Sequence, residues 1–229
     1  MLSVEALREI VEPPVAVGLA VERSSPDRAN ESRLGRAAAR AALDAVSAET
    51  AELGSGPHGP RWPDGIVGSI AHTYRTAIAV AARAGDRDAL GVDIERGSRR
   101  LAGRVIERIS TPDEREWLRT GDEVMPLVLF CAKEAIYKAL SRFTPHPVSF
   151  SDVTFEPRTP GLLVGRLVAS ASPLAGEPEV AARTLTRGGF VVAFVEIEAG
   201  AVGPSSSLSS HVPTGPIARA PADGGTGRR

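Results

Sequence analysis

The chain has 229 residues, enough for one domain or two small ones, and 42% of them are hydrophobic, as a globular core requires. Lys and Arg number 27 against 28 Asp and Glu, so there is no global basic field of the kind that nucleic-acid binding calls for. The single cysteine, Cys131, excludes an intrachain disulfide framework and reads as a packing residue; no run is long enough to cross a bilayer and the start resembles no secretory signal, so a cytoplasmic protein with no membrane partner is expected.

Residues Leu2 to Glu12 read as a short helix or a loosely held arm, and Val15 to Val21 as a buried strand. A helix is predicted from Glu31 to Ala48, with Asn30 as its cap. Leu34, Ala38, Ala41, Ala45 and Ala48 form its apolar face, and Arg33, Arg36 and Arg40 lie on another. Gly35 costs such a helix roughly 1 kcal/mol against Ala, which close approach to its backbone would explain. Glu52 to Ser69 read as a long Gly- and Pro-rich loop carrying His58, Arg61 and Trp62. His72 follows a glycine-rich turn whose free N–H groups suit an anion. Thr76–Arg83 and Ala89–Ile94 flank a "GDRD" turn and are expected to pair as a hairpin. Residues Arg99 to Ser110 read as a helix with Leu101, Val105 and Ile109 as its stripe. Thr111, Pro112 and Glu114 then spell a capping box, with Trp117 and Leu118 in the core. Three strand-like runs follow Leu140, at 147–157, 161–169 and 189–197, and a Gly/Pro/Ser-rich tail from Gly200 is expected to be disordered.

The stretch that organises the chain is Leu127 to Leu140. It contains no Gly or Pro and sets Phe130, Glu134 and Lys138 four apart, beside the apolar stripe of Leu129, Ala132, Ile136 and Leu140. Alone, Glu134 and Lys138 are an ordinary helix pair worth about 0.2–0.5 kcal/mol. Asp93 and Glu95 add to this, because residues two apart on a strand share a face. Two carboxylates there repel each other and resist desolvation, and a hard divalent cation removes both costs. Glu134 is the best third oxygen ligand.

The run "GVDIE", followed some forty residues on by "FCAKEAIYK", resembles the 4'-phosphopantetheinyl transferases, in particular their longer, monomeric branch. The family pattern, roughly G-[VI]-D-x-E and then [FW]-[SC]-x-K-E-[AS]-x-x-K, is met at Gly91, Asp93, Glu95, Phe130, Lys133, Glu134, Ala135 and Lys138. The resemblance covers most of Gly18 to Leu140 and is weak in the last strands. It implies an α+β fold: a pseudo-twofold pair of similar halves, here 1–104 and 105–199, each a three-stranded antiparallel sheet packed on a long helix. It implies transfer of the phosphopantetheine arm from coenzyme A to a serine of an acyl or peptidyl carrier protein, releasing 3',5'-ADP, by a monomer. Asp93, Glu95 and Glu134 are then the ligands of Mg2+, or of Mn2+. Glu134 and Lys138 are the catalytic pair, with Lys138 over the diphosphate. Lys133 faces the phosphate edge or the carrier. "GRxxAR", met at Gly35, Arg36, Ala39 and Arg40, and "WP…GSxxH", with Arg61, Ser69 and His72, supply coenzyme A contacts, while Trp62 plugs its loop or covers the adenine. Relatives carry about two more residues between the histidine and the next aromatic, so "HTYR" leaves Tyr74 and Arg75 unassigned. Arg99, Arg100 and Arg104 are placed to meet an acidic carrier. Two other readings stay open. One is a different magnesium-dependent enzyme on a nucleotide or diphosphate, and the other a noncatalytic binding module. Walker and dinucleotide-binding glycine patterns are absent, as are Cys/His clusters for zinc.

Overall fold

A computed structural model of the chain describes residues 1–22, 28–46, 53–56, 59–144, 148–168, 172–175 and 179–203. In order, the elements are α1 (Val4–Leu7), β1 (Ala16–Val21), α2 (Arg28–Val46), β2 (Gly54–Gly56), β3 (Gly59–Arg61), β4 (Ile66–Thr73), β5 (Thr76–Arg83) and β6 (Arg87–Arg96). They continue with α3 (Gly103–Ile109), α4 (Pro112–Leu118), α5 (Met125–Leu140), β7 (Val153–Thr159), β8 (Leu162–Leu167), β9 (Glu179–Arg187) and β10 (Phe190–Glu198). The fold is α+β, with antiparallel sheets of order β1-β5-β4 and β6-β10-β9-β8-β7 and a small β2-β3 pair.

Four layers follow from which side chains cluster. Helix α2 packs Leu34, Ala38, Ala39 and Ala42 on Ala77, Ala79 and Ala81 of β5. The other face of that sheet, through Val17, Val67, Ile78 and Val80, meets Leu90, Val92 and Ile94 of β6 and Phe194 of β10. Ala135, Ile136 and Ala139 of α5 cover the far face of the second sheet with Val191, Ala193 and Val195. Strand β6 is therefore enclosed on both faces. Glycines permit both helix contacts. A Cβ on Gly18 would lie 2.0 Å from the Ala38 carbonyl oxygen of α2, and one on Gly91 would lie 1.9 Å from that of Ala135 in α5.

Several expectations are corrected. The 5-stranded second sheet breaks the picture of two matching three-stranded halves. The expected β5–β6 hairpin does not form: β5 lies between β1 and β4, whereas β6 bonds to β10, with Asp93 opposite Ala193. The chain passes from the first sheet to the second between Arg83 and Arg87. Strand β9 was not expected; of its nine residues only Val180 and Ala182 are buried, and polar residues break up its apolar pattern. The buried stripe of α2 is Leu34, Ala38, Ala39, Ala42 and Leu43, with Ala41 and Ala45 exposed, and Asn30 lies inside the helix. The turn expected before His72 is strand, since β4 pairs with β5 from Ile66 to Thr73. Of the two readings of residues 2–12 the short helix holds, at Val4–Leu7, and the segment is anchored rather than loose: Leu2, Leu7, Ile10 and Val11 are buried. Residues expected to begin the tail are ordered as far as Gly203, where Val202 bridges Leu174. The rest of the tail and His58 lie outside the described residues.

Candidate active site

The acidic residues come from the open end of β6 and the half-exposed stripe of α5. Because Leu90, Val92 and Ile94 fill the inter-sheet core, Gly91, Asp93 and Glu95 turn toward α5. From Leu127 onward, helix α5 presents Phe130, Glu134, Tyr137 and Lys138 on its partly exposed side and buries its other residues. The absent Cβ of Gly91 lets the helix close on the strand and sets Glu134 among the strand carboxylates.

Internal cations occupy two of these carboxylates. The Lys138 ammonium donates to Asp93 Oδ1 at 2.7 Å and to the Val92 carbonyl at 3.0 Å. Arg99 donates to Glu95 Oε1, and its guanidinium lies 4.8 Å from the centroid of the Phe130 ring. Thr73 Oγ1 reaches Glu95 Oε2 at 3.5 Å. Asp93 is 8% exposed, and its Oδ2 is buried with no hydrogen-bond partner. Burial, then the negative charge of Asp93, raise the Glu134 carboxyl from 4.5 to about 7, while Lys138 opposes the rise. Glu95 is also raised, chiefly by burial, with Arg99 opposing. Cys131 is fully buried, with its thiol pushed well up by burial first and Asp93 next, as a packing residue would be.

Among the described residues, no three His, Cys, Asp or Glu side chains already stand as a set that could hold a metal ion. The donors nevertheless suit a hard cation. An unpartnered, buried carboxylate oxygen sits beside a carboxyl that ionises only near neutrality, and both conditions are relieved by added positive charge.

Lys133 is elsewhere. Its side chain is 0% exposed and its ammonium donates to Glu114 Oε2 at 2.7 Å, the Phe150 carbonyl at 2.7 Å and the Val153 carbonyl at 3.0 Å. It faces neither a phosphate edge nor a carrier, because the turn of α5 that exposes Glu134 drives its neighbour into the core. Glu114 completes this hub by accepting from the backbone N–H groups of Thr111 and Phe155. The capping-box spacing gave away its first role, but nothing in the sequence marked it as the partner of Lys133.

The residues expected at coenzyme A lie on the α2 and β4 side. Arg36 donates to the Leu53 carbonyl at 3.1 Å and Ser55 Oγ at 2.6 Å, bracing the β2–β3 pair. Arg61 ends β3 and is largely exposed, 3.8 Å from Asp64. Arg40 lies 3.4 Å from Asp44, and His72 Nδ1 lies 4.0 Å from Glu31. Ser69 is buried and its hydroxyl accepts the Val92 N–H at 3.1 Å, stapling β4 to β6. Trp62 plugs its loop by lying over Gly68, where a Cβ would come within 2.5 Å of the ring. Arg100 reaches the Gly97 carbonyl and Glu123, and Arg104 is exposed.

An enclosed strand delivering carboxylates to a helix with a flanking lysine, and a neighbouring helix carrying arginines, defines an α+β protein with an acidic centre flanked by cationic side chains. The chain belongs to the 4'-phosphopantetheinyl transferase superfamily: residues 17–82 match the family's N-terminal domain and residues 89–193 the superfamily itself. It is similar to 4'-phosphopantetheinyl transferase Svp of Streptomyces mobaraensis, 38% identical over 58% of this chain and 56% of the relative. It is 41% identical to Npt of Nocardia iowensis over 53% of this chain and 56% of the relative. With PptT of Mycobacterium tuberculosis it shares 38% identity over 69% of this chain and 73% of the relative. The matched part thus spans about half the length of the first two relatives. The change of match between residues 82 and 89 falls where the chain passes from one sheet to the other.

Proposed function

We infer that the chain transfers the 4'-phosphopantetheine arm of coenzyme A to a serine hydroxyl of an acyl or peptidyl carrier protein, acting as a monomer. The serine oxygen forms a new bond to phosphorus, the bond to 3',5'-ADP breaks, and the hydroxyl proton passes to a base. The observation that carries this reading is the unpartnered Asp93 Oδ2 beside Lys138 and a Glu134 carboxyl at about 7, on the family's own motif residues.

Asp93, Glu95 and Glu134 would hold Mg2+ or Mn2+, which when bound offsets diphosphate charge. Lys138 exchanges Asp93 for the ligand's diphosphate once that carboxylate is otherwise neutralised. Glu134 has the affinity of a base at neutral pH, and service to a cation weakens it in that role. Arg36 and Arg40 of α2, Arg61 of β3 and His72 of β4 would supply cationic or hydrogen-bonding contacts for the nucleotide, and Ser69 holds the strand that carries His72. Arg99 orients Glu95 and stacks on Phe130, and Arg100 and Arg104 lie exposed beyond it for an acidic partner.

The test mixes the chain, coenzyme A, Mg2+ and an apo carrier, and weighs the carrier. A gain equal to the phosphopantetheine arm is expected, and its loss with Asp93→Ala. No gain on any acyl or peptidyl carrier, with coenzyme A still bound, would favour a different diphosphate-handling enzyme.

A further inference from the structure

Tyr74 and Arg75 form the two-residue turn that joins β4 to β5, between the paired residues Thr73 and Thr76. Tyr74 is held at φ 53°, a conformation costly for a bulky residue, and among the described residues it is the one non-glycine at positive φ. The residue is nevertheless 45% exposed, so burial does not offset that cost. Two guanidinium groups share this ring: Arg75 stands 4.9 Å from its centroid and Arg96 5.0 Å. Among the described residues neither arginine pairs with a carboxylate, and Arg75 Nε is buried without an acceptor. Like charges gathered on a strained, exposed aromatic form a surface that a second molecule's anions would complete.

Its position narrows the second molecule. Thr73, one residue before, touches Glu95, and Arg96 directly follows Glu95. From Glu95 the contacts run through Arg99 to Phe130, whose ring lies 6.4 Å from that of Phe150. The cradle therefore sits on the rim of the acidic centre, joined to a ledge of arginine and aromatic side chains. Exposed tyrosine and arginine of this kind are the residue types that anchor protein partners.

The geometry points to Tyr74, Arg75 and Arg96 as the anchor for the acidic face of the carrier protein, the acceptor in the reaction proposed above, on which this inference rests. The turn presents the ring to apolar atoms of the partner, and the two guanidinium groups receive its carboxylates.

The experiment measures steady-state transfer to an apo acyl carrier protein with carrier and coenzyme A varied separately. The variants are Arg96→Glu, at an exposed position, and Tyr74→Gly, which suits the positive φ and so protects the turn. Both should raise the KM for the carrier at least about tenfold and leave the KM for coenzyme A unchanged, and Arg96→Glu should also flatten the salt dependence of kcat/KM. A rise in the KM for coenzyme A with the carrier KM unmoved would make the cradle a nucleotide-phosphate subsite and overturn the inference. So would two variants indistinguishable from an active wild type, which would leave the transferase reading standing. A wild type that modifies no carrier would sink that reading and this inference together.

Discussion

Replacing Lys133 with Met separates the two roles this lysine was open to. The substitution keeps length and apolar stem and removes only the ammonium. In the fold that ammonium is fully buried and makes three hydrogen bonds, to Glu114 and to the carbonyls of Phe150 and Val153. Burial lowers the lysine below its ordinary 10.5 and Glu114 pulls it back up, the signature of a charge kept inside by its partner. Removing it leaves a buried carboxylate held only by the N–H groups of Thr111 and Phe155, and two carbonyls short of a donor. Breaking one half of such a pair costs about 3–5 kcal/mol. For a chain of this size that lowers Tm by roughly 10 °C. Thermal and urea unfolding would measure the loss, and isothermal titration of the remaining folded protein should return an unchanged affinity for coenzyme A. Lys133→Met combined with Glu114→Leu should be less destabilised than the sum of the single changes, with recovery limited by the two N–H groups that Glu114 leaves behind. A Lys133→Met protein that melts like the wild type but no longer binds coenzyme A would refute the structural role.

Three further outcomes follow from the site. Glu134 is raised from 4.5 to about 7, so the folded state holds its proton more tightly. Its contribution is neutral below pH 4.5, and stability falls by at most about 3 kcal/mol as the pH climbs through 7; urea unfolding of wild type against Glu134→Gln at pH 5 and 8 should show the difference shrinking at the lower pH, in the absence of divalent cations. Lys138→Met removes the ammonium that now occupies Asp93, so Mn2+ should bind more tightly by titration while coenzyme A binds more weakly; weaker Mn2+ binding would show that the lysine does not compete. Gly91→Ala places a methyl 1.9 Å from the Ala135 carbonyl and must push α5 off β6, costing about 1–3 kcal/mol or more and reducing transfer far beyond its effect on Tm.

What could be read in advance depended on whether the signal was local. The β6 carboxylates announce themselves within a few residues, and so do the Thr111–Glu114 box and the half-exposed stripe of α5. Strand partnership does not. Thr76–Arg83 and Ala89–Ile94 read as a hairpin because a short turn joins two apolar runs, yet β6 is buried on both faces and bonds to β10, about a hundred residues on. An apolar run that long satisfies either neighbour, so the sequence alone could not choose. The α2 stripe slipped by one position because alanines lie on both faces and weight neither. Lys133 was misplaced for a related reason. Motif membership says that a residue matters, whereas one step along the helix, about 100°, decides whether it meets solvent or the core.

That step also accounts for the charge layout around α5. Consecutive residues carry opposite charges into different surroundings: Lys133 inward to Glu114, Glu134 outward to Asp93 and Glu95. The inward pair ties α5 to α4 and to the start of β7, and so fixes the helix's rotation. The missing Cβ of Gly91 fixes its distance from β6. With rotation and distance both set by groups outside the acidic centre, Glu134 has little freedom to retreat from the strand carboxylates, and its raised pKa records that confinement. Loosening either constraint should therefore bring Glu134 back toward 4.5, and a carboxyl titration of Gly91→Ala by NMR that still placed it near 7 would show that the constraint lies elsewhere.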